Sequence, residues 1–325
     1  MNKIAFLYGD TILYWNSIVM ALAVLTGIVL FLAAYLRGSD KLTGAIAVCP
    51  LTILMSLVLA RLIHWYFRAD SYESLKAAVT DFSGTGYALI GAFAGCMLAA
   101  SVIWLLKAVR NLPFLLDCMS IGGCASIAVG RLSNFFTSED RGEILQGVTD
   151  LPWVSPVVNT ASGLLEYRFA TFFFQAIIVG CIFIILLILY WKKHRDGDIS
   201  LLFLLFYCAS QIVLDSTRYD SLRLRSNGFI SIVQILCALA LILVVAVFWL
   251  RLQKNTGWKL RYFGIWILLL LGLIGAGYME YYVQRHGDQA GFAYLVMSGC
   301  LGAIVILGVV LRCLANRSEH LPAEV

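Results

Sequence analysis

The sequence predicts an all-α, polytopic transmembrane helical protein, with a seven-helix body followed by two C-terminal spans. Three observations predict it. Hydrophobic residues make up 61% of the chain and charged residues only 13%, against about half and a quarter in a soluble domain. Apolar runs long enough to cross a bilayer, about 20 residues each, follow one another along the chain. Lys and Arg collect in alternate connectors between those runs, the pattern that orients a membrane protein.

The first run spans 12–36, preceded by a single cation, Lys3, and closed by Tyr35-Leu36-Arg37. No small-residue cleavage site follows it, so it is expected as a retained helix and not a removed signal peptide. Runs at 42–67, 85–110, 112–133, 169–191, 199–214 and 229–250 complete the seven. The polar stretch Arg251 to Arg261 separates them from runs at 262–283 and 291–314. Two regions result: a membrane domain over 1–250, and 251–325 comprising a linker, two extra helices and a short tail.

Orientation follows from the connectors. Arg37/Lys41, Lys107/Arg110, Lys192/Lys193/Arg195, Arg251/Lys254/Lys259/Arg261 and Arg312/Arg317 share one side. Asp70, Glu73, Asp81, Glu139, Asp140, Glu143, Asp150 and Glu166 fall on the other. The positive-inside rule makes the first side cytoplasmic, with the N-terminus outside and the C-terminus and linker inside. The expected location is a bacterial cytoplasmic (inner) membrane, with membrane lipids as constant partners. The longest polar stretch, 134–168, is then external, and connections of that length are usually functional or disordered.

The formal net charge of +5 resides in these connectors, and no basic helix or aromatic-interleaved basic surface appears, so nucleic acid is not an expected partner. The nine cysteines lie almost entirely in apolar runs without a CxxC, as small packing residues do, and no metal site is expected. A transporter is disfavoured, because corresponding halves show no Gly/Pro-interrupted pair of spans.

Ionisable groups at membrane depth cost about 2.5–3.5 kcal/mol each on insertion scales, so each calls for a reason. Two clusters stand out, both at external helix ends. One runs from Gly130-Arg131 through Asn134, Glu139 and Asp140 to Gly142; the other includes Tyr207, Asp215, Arg218, Asp220 and Arg223. A guanidinium beside an amide suits a phosphate, the first as a charged fork and the second as a neutral donor and acceptor. The same arginines also fit a simpler role, snorkelling to the headgroup layer. His64 is the histidine near a span on the external side, and it fits either interface packing or proton transfer.

The segment Gly130-Arg131-Leu132-Ser133-Asn134-Phe135-Phe136-Thr137-Ser138-Glu139-Asp140-Arg141-Gly142 resembles the signature of prolipoprotein diacylglyceryl transferases. That signature runs Gly-Arg-x-Gly/Ala-Asn-Phe-apolar-Asn-x-Glu-x-x-Gly; Ser133 and Thr137 depart from it. Ala60-Arg61-Leu62, Ala88-Leu89-Ile90-Gly91-Ala92, and Tyr207, Arg218, Asp220-Ser221-Leu222 and Gln234 are similar to further family stretches in the same order. The resemblance covers roughly 12–250, the transferase-like body, and leaves the last two spans without a counterpart.

The resemblance implies transfer of a diacylglyceryl group from phosphatidylglycerol to the lipobox cysteine of a prolipoprotein signal peptide, with release of glycerol phosphate and without a metal or organic cofactor. It implies Arg131, Asn134, Glu139, Tyr207 and Arg218 as catalytic residues. Gly130, Gly142, Arg61, Asp215 and Gln211 are implied as substrate-binding. Four positions depart from the pattern: Gly86 or Tyr87 stands where the family has His, Gln211 where it has Arg, Asp215 where it has Glu, and Phe174-Gln175 where it has Tyr-Glu. These departures frame a second reading, a catalytically impaired relative that binds phospholipid or lipopeptide.

Overall fold

A computed structural model describes residues 4–8, 11–38, 42–69, 72, 74–80, 86–109, 111–145, 154–158, 163–192, 194–223, 229–256, 263–286 and 289–319. Its elements in order are β1 (Ile4–Tyr8), β2 (Thr11–Tyr14), α1 (Trp15–Gly38), α2 (Leu42–Phe67), α3 (Leu75–Thr80), α4 (Leu89–Leu105) and α5 (Leu112–Arg131). A 3-10 turn (Leu132–Phe136), β3 (Val154–Val158), β4 (Leu165–Phe169), α6 (Thr171–Trp191), α7 (Asp198–Ser216), α8 (Ile232–Thr256), α9 (Gly264–Arg285) and α10 (Ala290–Glu319) follow. Among the described residues eight helices are long and apolar enough to cross a membrane, and α4 is a shorter apolar helix. The protein is an all-α, multi-pass membrane protein.

Local structure departs from expectation in three places. The first helix begins at Trp15, because Ile4–Tyr8 and Thr11–Tyr14 pair as an antiparallel hairpin. Their β-branched and aromatic residues favour a pleated surface over a helix. The span expected over 85–110 is helical only over Leu89–Leu105. Gly86 before it has a φ of +113° and Lys107 after it a φ of +58°, neither of which a helix accommodates. The polar stretch 134–168, expected as loop, holds the antiparallel pair β3–β4.

The chain divides into two compact units. One contains Ala21–Ile127 and Leu187–Ser200. There α2 and α4 pack at backbone distance, because Gly91 and Gly95 present no side chain. A Cβ on Gly91 would lie 2.4 Å from Ala60 Cα, and one on Gly95 would lie 2.5 Å from Ser56 Cα. This small-xxx-small pairing drives helix association where lipid supplies no hydrophobic force. Ser56 adds a hydroxyl bond to the Ala92 carbonyl at 3.0 Å.

The other unit contains Met1–Met20, Ala128–Leu186 and Leu201–Val325. Its core centres on α7, where Leu202, Leu205 and Tyr207 are buried. In the most apolar window of α7, 61% of residues are buried, against 17–39% in the other long spans. Both terminal helices belong to this unit, α10 packing against α8 and α9.

Candidate active site

The 3.6-residue repeat of α7 puts Tyr207, Gln211 and Asp215 at successive i, i+4 positions along one face. Arg218 follows in the turn after the helix, its amide bonded to the Asp215 carbonyl at 3.1 Å. On the other side of the site, α5 ends at Arg131, and the 3-10 turn carries Asn134 inward, 8% exposed. The backbone then reverses at Asp140, whose φ of +54° lies in the left-handed region that Asp tolerates better than most residues.

Asp140 joins the two predicted clusters. Its Oδ2 accepts hydrogen bonds from Arg131 Nη1 and Asn134 Nδ2, and its Oδ1 faces Arg218 Nη2 at 2.6 Å. Its amide donates to Asp220 Oδ2 at 3.0 Å. Arg218 is fully engaged: Nε meets Asp220 at 3.0 Å, Nη1 meets Asp215 at 3.5 Å and Nη2 meets Asp140. Burial pushes the Asp140 carboxyl upward, but the Arg131 and Arg218 guanidiniums and the bonds from Arg131 and Asn134 outweigh it and hold the group below the usual carboxylate range. Burial disfavours the Arg218 charge, and the carboxylates of Asp140, Asp220 and Asp215 outweigh that, raising its pKa.

Arg141 lacks such a counter-ion among the described residues. It is 2% exposed, donates from Nη2 to the Asn134 and Thr137 carbonyls, and lies over the Phe172 ring at 5.4 Å. Its Nε and Nη1 have no hydrogen-bond partner among the described residues. Burial, with Arg168 nearby, lowers its pKa. An unpaired buried guanidinium beside two paired ones is suited to an anion.

The loop is held by backbone bonds from Phe172 to the Asp140 carbonyl at 3.1 Å and from Tyr219 to the Arg141 carbonyl at 3.0 Å. Gly142 packs tightly: a Cβ there would lie 2.7 Å from the Thr217 carbonyl oxygen. Its amide bonds to Phe169 O at 2.8 Å. Gly130 lies one residue before Arg131 in α5. Glu139 is half-buried, its amide bonded to Thr137 Oγ1 at 3.4 Å.

Two of the residues that depart from the family pattern touch one another. Gln175 Nε2 donates to Gln211 Oε1 at 3.2 Å, and Gln211 Nε2 donates to the Tyr207 hydroxyl at 3.1 Å. All three are buried. The Tyr207 hydroxyl is also within hydrogen-bond reach of Arg131. A neutral amide pair therefore occupies the positions where the resemblance implies Glu and Arg.

Arg61 belongs to the unit containing α2 and α4. It donates to the Gly86 carbonyl at 3.0 Å and lies over the Tyr72 and Tyr87 rings at 5.0 and 5.1 Å. His64 Nδ1 bonds the Tyr72 hydroxyl at 2.8 Å. A Cβ at Gly86 would lie 2.7 Å from Tyr72 Oη and 2.9 Å from His64 Cε1. In this chain the imidazole against residue 86 is that of His64, and there is no room for a second one on residue 86 itself.

The arrangement is that of a polar, charge-dense site where α5 and α7 end. The model of the prolipoprotein diacylglyceryl transferase family matches residues 3–250. The chain belongs to that family. It is similar to the phosphatidylglycerol–prolipoprotein diacylglyceryl transferase of Clostridioides difficile strain 630, with 27% identity over 69% of this chain and 86% of the relative. The protein of that name from Parasynechococcus marenigrum strain WH8102 is 28% identical over 78% of this chain and 95% of its own length. The one from Acaryochloris marina strain MBIC 11017 is 29% identical over 77% and 91%. The family match ends before α9 and α10 begin.

Sequence reasoning named Arg131, Asn134, Tyr207 and Arg218, and the structure brings these together. It placed Asp140 and Arg141 in the first cluster but gave neither a role; Asp140 joins the four and Arg141 adjoins them. The available signal was the run Glu139-Asp140-Arg141, two acids followed by an arginine, in a segment already carrying the signature.

Proposed function

We propose that this protein transfers the diacylglyceryl group of phosphatidylglycerol to the lipobox cysteine of a prolipoprotein. Support comes from family membership and from one observation above all: the signature residues Arg131 and Asn134 converge with Arg218 on a single carboxylate, Asp140. In the reaction the cysteine sulfur attacks the glyceryl carbon that bears the phosphate. A C–S bond forms and that C–O bond breaks. Glycerol phosphate leaves with the electron pair, and the thiol proton passes to a base or to solvent.

Two demands follow from this chemistry. The departing phosphate needs fixed cationic donors in a low-dielectric site. Arg131 and Asn134, with Arg141 and its unpartnered Nε and Nη1, are proposed to supply them. Because every nitrogen of Arg218 already faces a carboxylate, its proposed role is to hold Asp140, Asp215 and Asp220 in place. Tyr207 is proposed to orient the headgroup and Glu139 to line the approach. Gly142 lets the backbone come close to the Thr217 carbonyl. The second demand is a thiolate, sparsely populated near neutral pH for a thiol of pKa about 8.5. Asp140, held below the usual carboxylate range, is too weak a base to supply it.

The proposed topology puts the N-terminus and this site outside, on the face of the membrane where prolipoproteins emerge. Cysteine labelling from outside should then modify a cysteine at Ser138 and spare one at Lys192. The region 251–325 is proposed as an addition to the 1–250 family body. The functional test is complementation: expression in bacteria depleted of their own transferase should restore lipidated lipoprotein, and persistence of unmodified prolipoprotein would refute the proposal.

A further inference from the structure

Helix α9 carries a carboxylate, Glu280, in its last two turns, buried to 6% exposure. An intramembrane carboxylate calls for a reason, and α9 lies beyond the residues matched by the family. Glu280 Oε2 accepts from Gln234 Nε2 at 2.9 Å, and its Oε1 accepts from Gln284 Nε2 at 3.4 Å. Gln234 Nε2 also reaches the Ile212 carbonyl at 3.2 Å, and its Oε1 accepts from the Ser231 amide at 3.0 Å. The Gln234 amide in turn donates to Ser231 Oγ at 3.1 Å.

Ser231 and Gln234 thus form a reciprocal capping box at the start of α8, Ser as N-cap and Gln three residues on. The Ser231 hydroxyl proton goes to Asp215 Oδ2. Asp215 meets Arg218, which meets Asp140. A continuous chain of hydrogen bonds and ion pairs therefore runs from α9 into the site.

The chain has a direction. The amide of a glutamine can turn end for end, presenting oxygen or nitrogen to the same neighbour. Carboxylate oxygens at Glu280 and a carbonyl at Ile212 require the nitrogen of Gln234 on their side, so its oxygen faces the Ser231 amide. Ser231 Oγ, already accepting from the Gln234 amide, is left to donate its one proton to Asp215. With an apolar residue at position 280, one of the two acceptors that fix Gln234 is gone.

We propose that Glu280, on a helix outside the family-matched body, is a positioning residue for the transfer reaction. It fixes the capping box of α8 and through it the carboxylate of Asp215 beneath Arg218 and Asp140. This rests on the transferase reading.

The test uses the full chain in phosphatidylglycerol vesicles with a lipobox peptide, with rates normalised to folded protein. Glu280→Leu should lower kcat on the order of tenfold, as expected for about 1.4 kcal/mol of lost positioning, with KM within twofold. Glu280→Gln, which retains an acceptor oxygen, should restore kcat to within threefold. Ser231→Ala should reproduce the loss, and adding Glu280→Leu to it should cost less than a further twofold, since residues acting in series are not additive. Unchanged kcat in Glu280→Leu, or losses that multiply in the double variant, would overturn the proposal. If the unmodified chain transfers nothing, the functional reading alone fails. Thermal midpoints of the unmodified chain, Glu280→Leu, Ser231→Ala and the double variant then decide: non-additive losses support the linkage, and additive losses overturn it.

Discussion

Replacing Asp140 should be the most damaging single change in the site, and for a reason that geometry sets. The side chain is 7% exposed and neutralises Arg131 and Arg218 at once. Asp140→Ala leaves two guanidiniums facing each other, with Arg218 still held by Asp215 and Asp220 but Arg131 without its carboxylate. Removing one partner of a buried ion pair costs about 3–5 kcal/mol. At roughly 2 °C per kcal/mol for a chain of this size, the midpoint should fall by roughly 6–10 °C. Asp220→Asn is the internal control. Its side chain is 18% exposed, and an amide can still accept the Arg218 Nε bond, so the loss should be about 1 kcal/mol. Thermal unfolding in detergent, followed by helix circular dichroism, measures both. Equal losses, or a shift under about 2 °C for Asp140→Ala, would refute the reasoning that Asp140 is the buried hub.

The same carboxylate makes an acid limit. Its folded pKa is depressed, so its stabilising contribution is complete above the unfolded value of about 3.9 and is lost as pH falls through the lower folded value. Thermal midpoints should therefore carry the full, pH-independent contribution of Asp140 between pH 5 and pH 8 and fall below about pH 4, less steeply in Asp140→Asn; identical acid profiles would contradict it. Arg131→Lys keeps a charge for Asp140 but loses the planar fork. It should stay folded and bind phosphatidylglycerol vesicles about tenfold more weakly, and unchanged affinity would remove Arg131 from the phosphate site. Gly86→Ala forces a Cβ against Tyr72 Oη at a φ of +113°, so it should destabilise by about 1–3 kcal/mol, whereas Tyr87→Phe should be neutral in thermal unfolding.

Much of this fold was legible because lipid imposes one strong rule: a spanning segment must satisfy its own backbone and be apolar for some 20 residues. The runs at 42–67 and 169–191 illustrate it, matching α2 and α6 within two residues at either end. The hairpin before α1 was hidden by that same rule, since Ile12, Leu13 and Tyr14 extend the apolar run without a break. The signal against it was the Gly9-Asp10 pair between two β-favouring stretches. The β3–β4 pair was obscured by Pro156 within a strand and by the absence of a two-residue turn.

In the site, Arg131 and Arg218 drew notice because cations at membrane depth are costly. Asp140 was named in the same cluster, but its role as their shared partner was not legible, because an acid in a connector needs no explanation. Nor did Ser231 and Gln234 announce their connection to Asp215 and Glu280, since a capping pattern specifies its own helix and says nothing of what the serine hydroxyl meets. Those links depend on how α7, α8 and α9 pack, and no local pattern encodes that.

The central claim, that this chain forms a thioether between a prolipoprotein cysteine and the diacylglyceryl group of phosphatidylglycerol, is tested most directly by product chemistry. Purified full-length protein, phosphatidylglycerol vesicles and a lipobox peptide would be incubated, and the peptide and the aqueous phase analysed together by mass spectrometry. The account predicts diacylglyceryl peptide, modified at cysteine and absent with a Cys→Ser peptide, appearing in equal amount with free glycerol phosphate. Peptide and lipid that bind the protein but return unmodified, with no glycerol phosphate released, would contradict it and leave the chain a binding relative of the transferases.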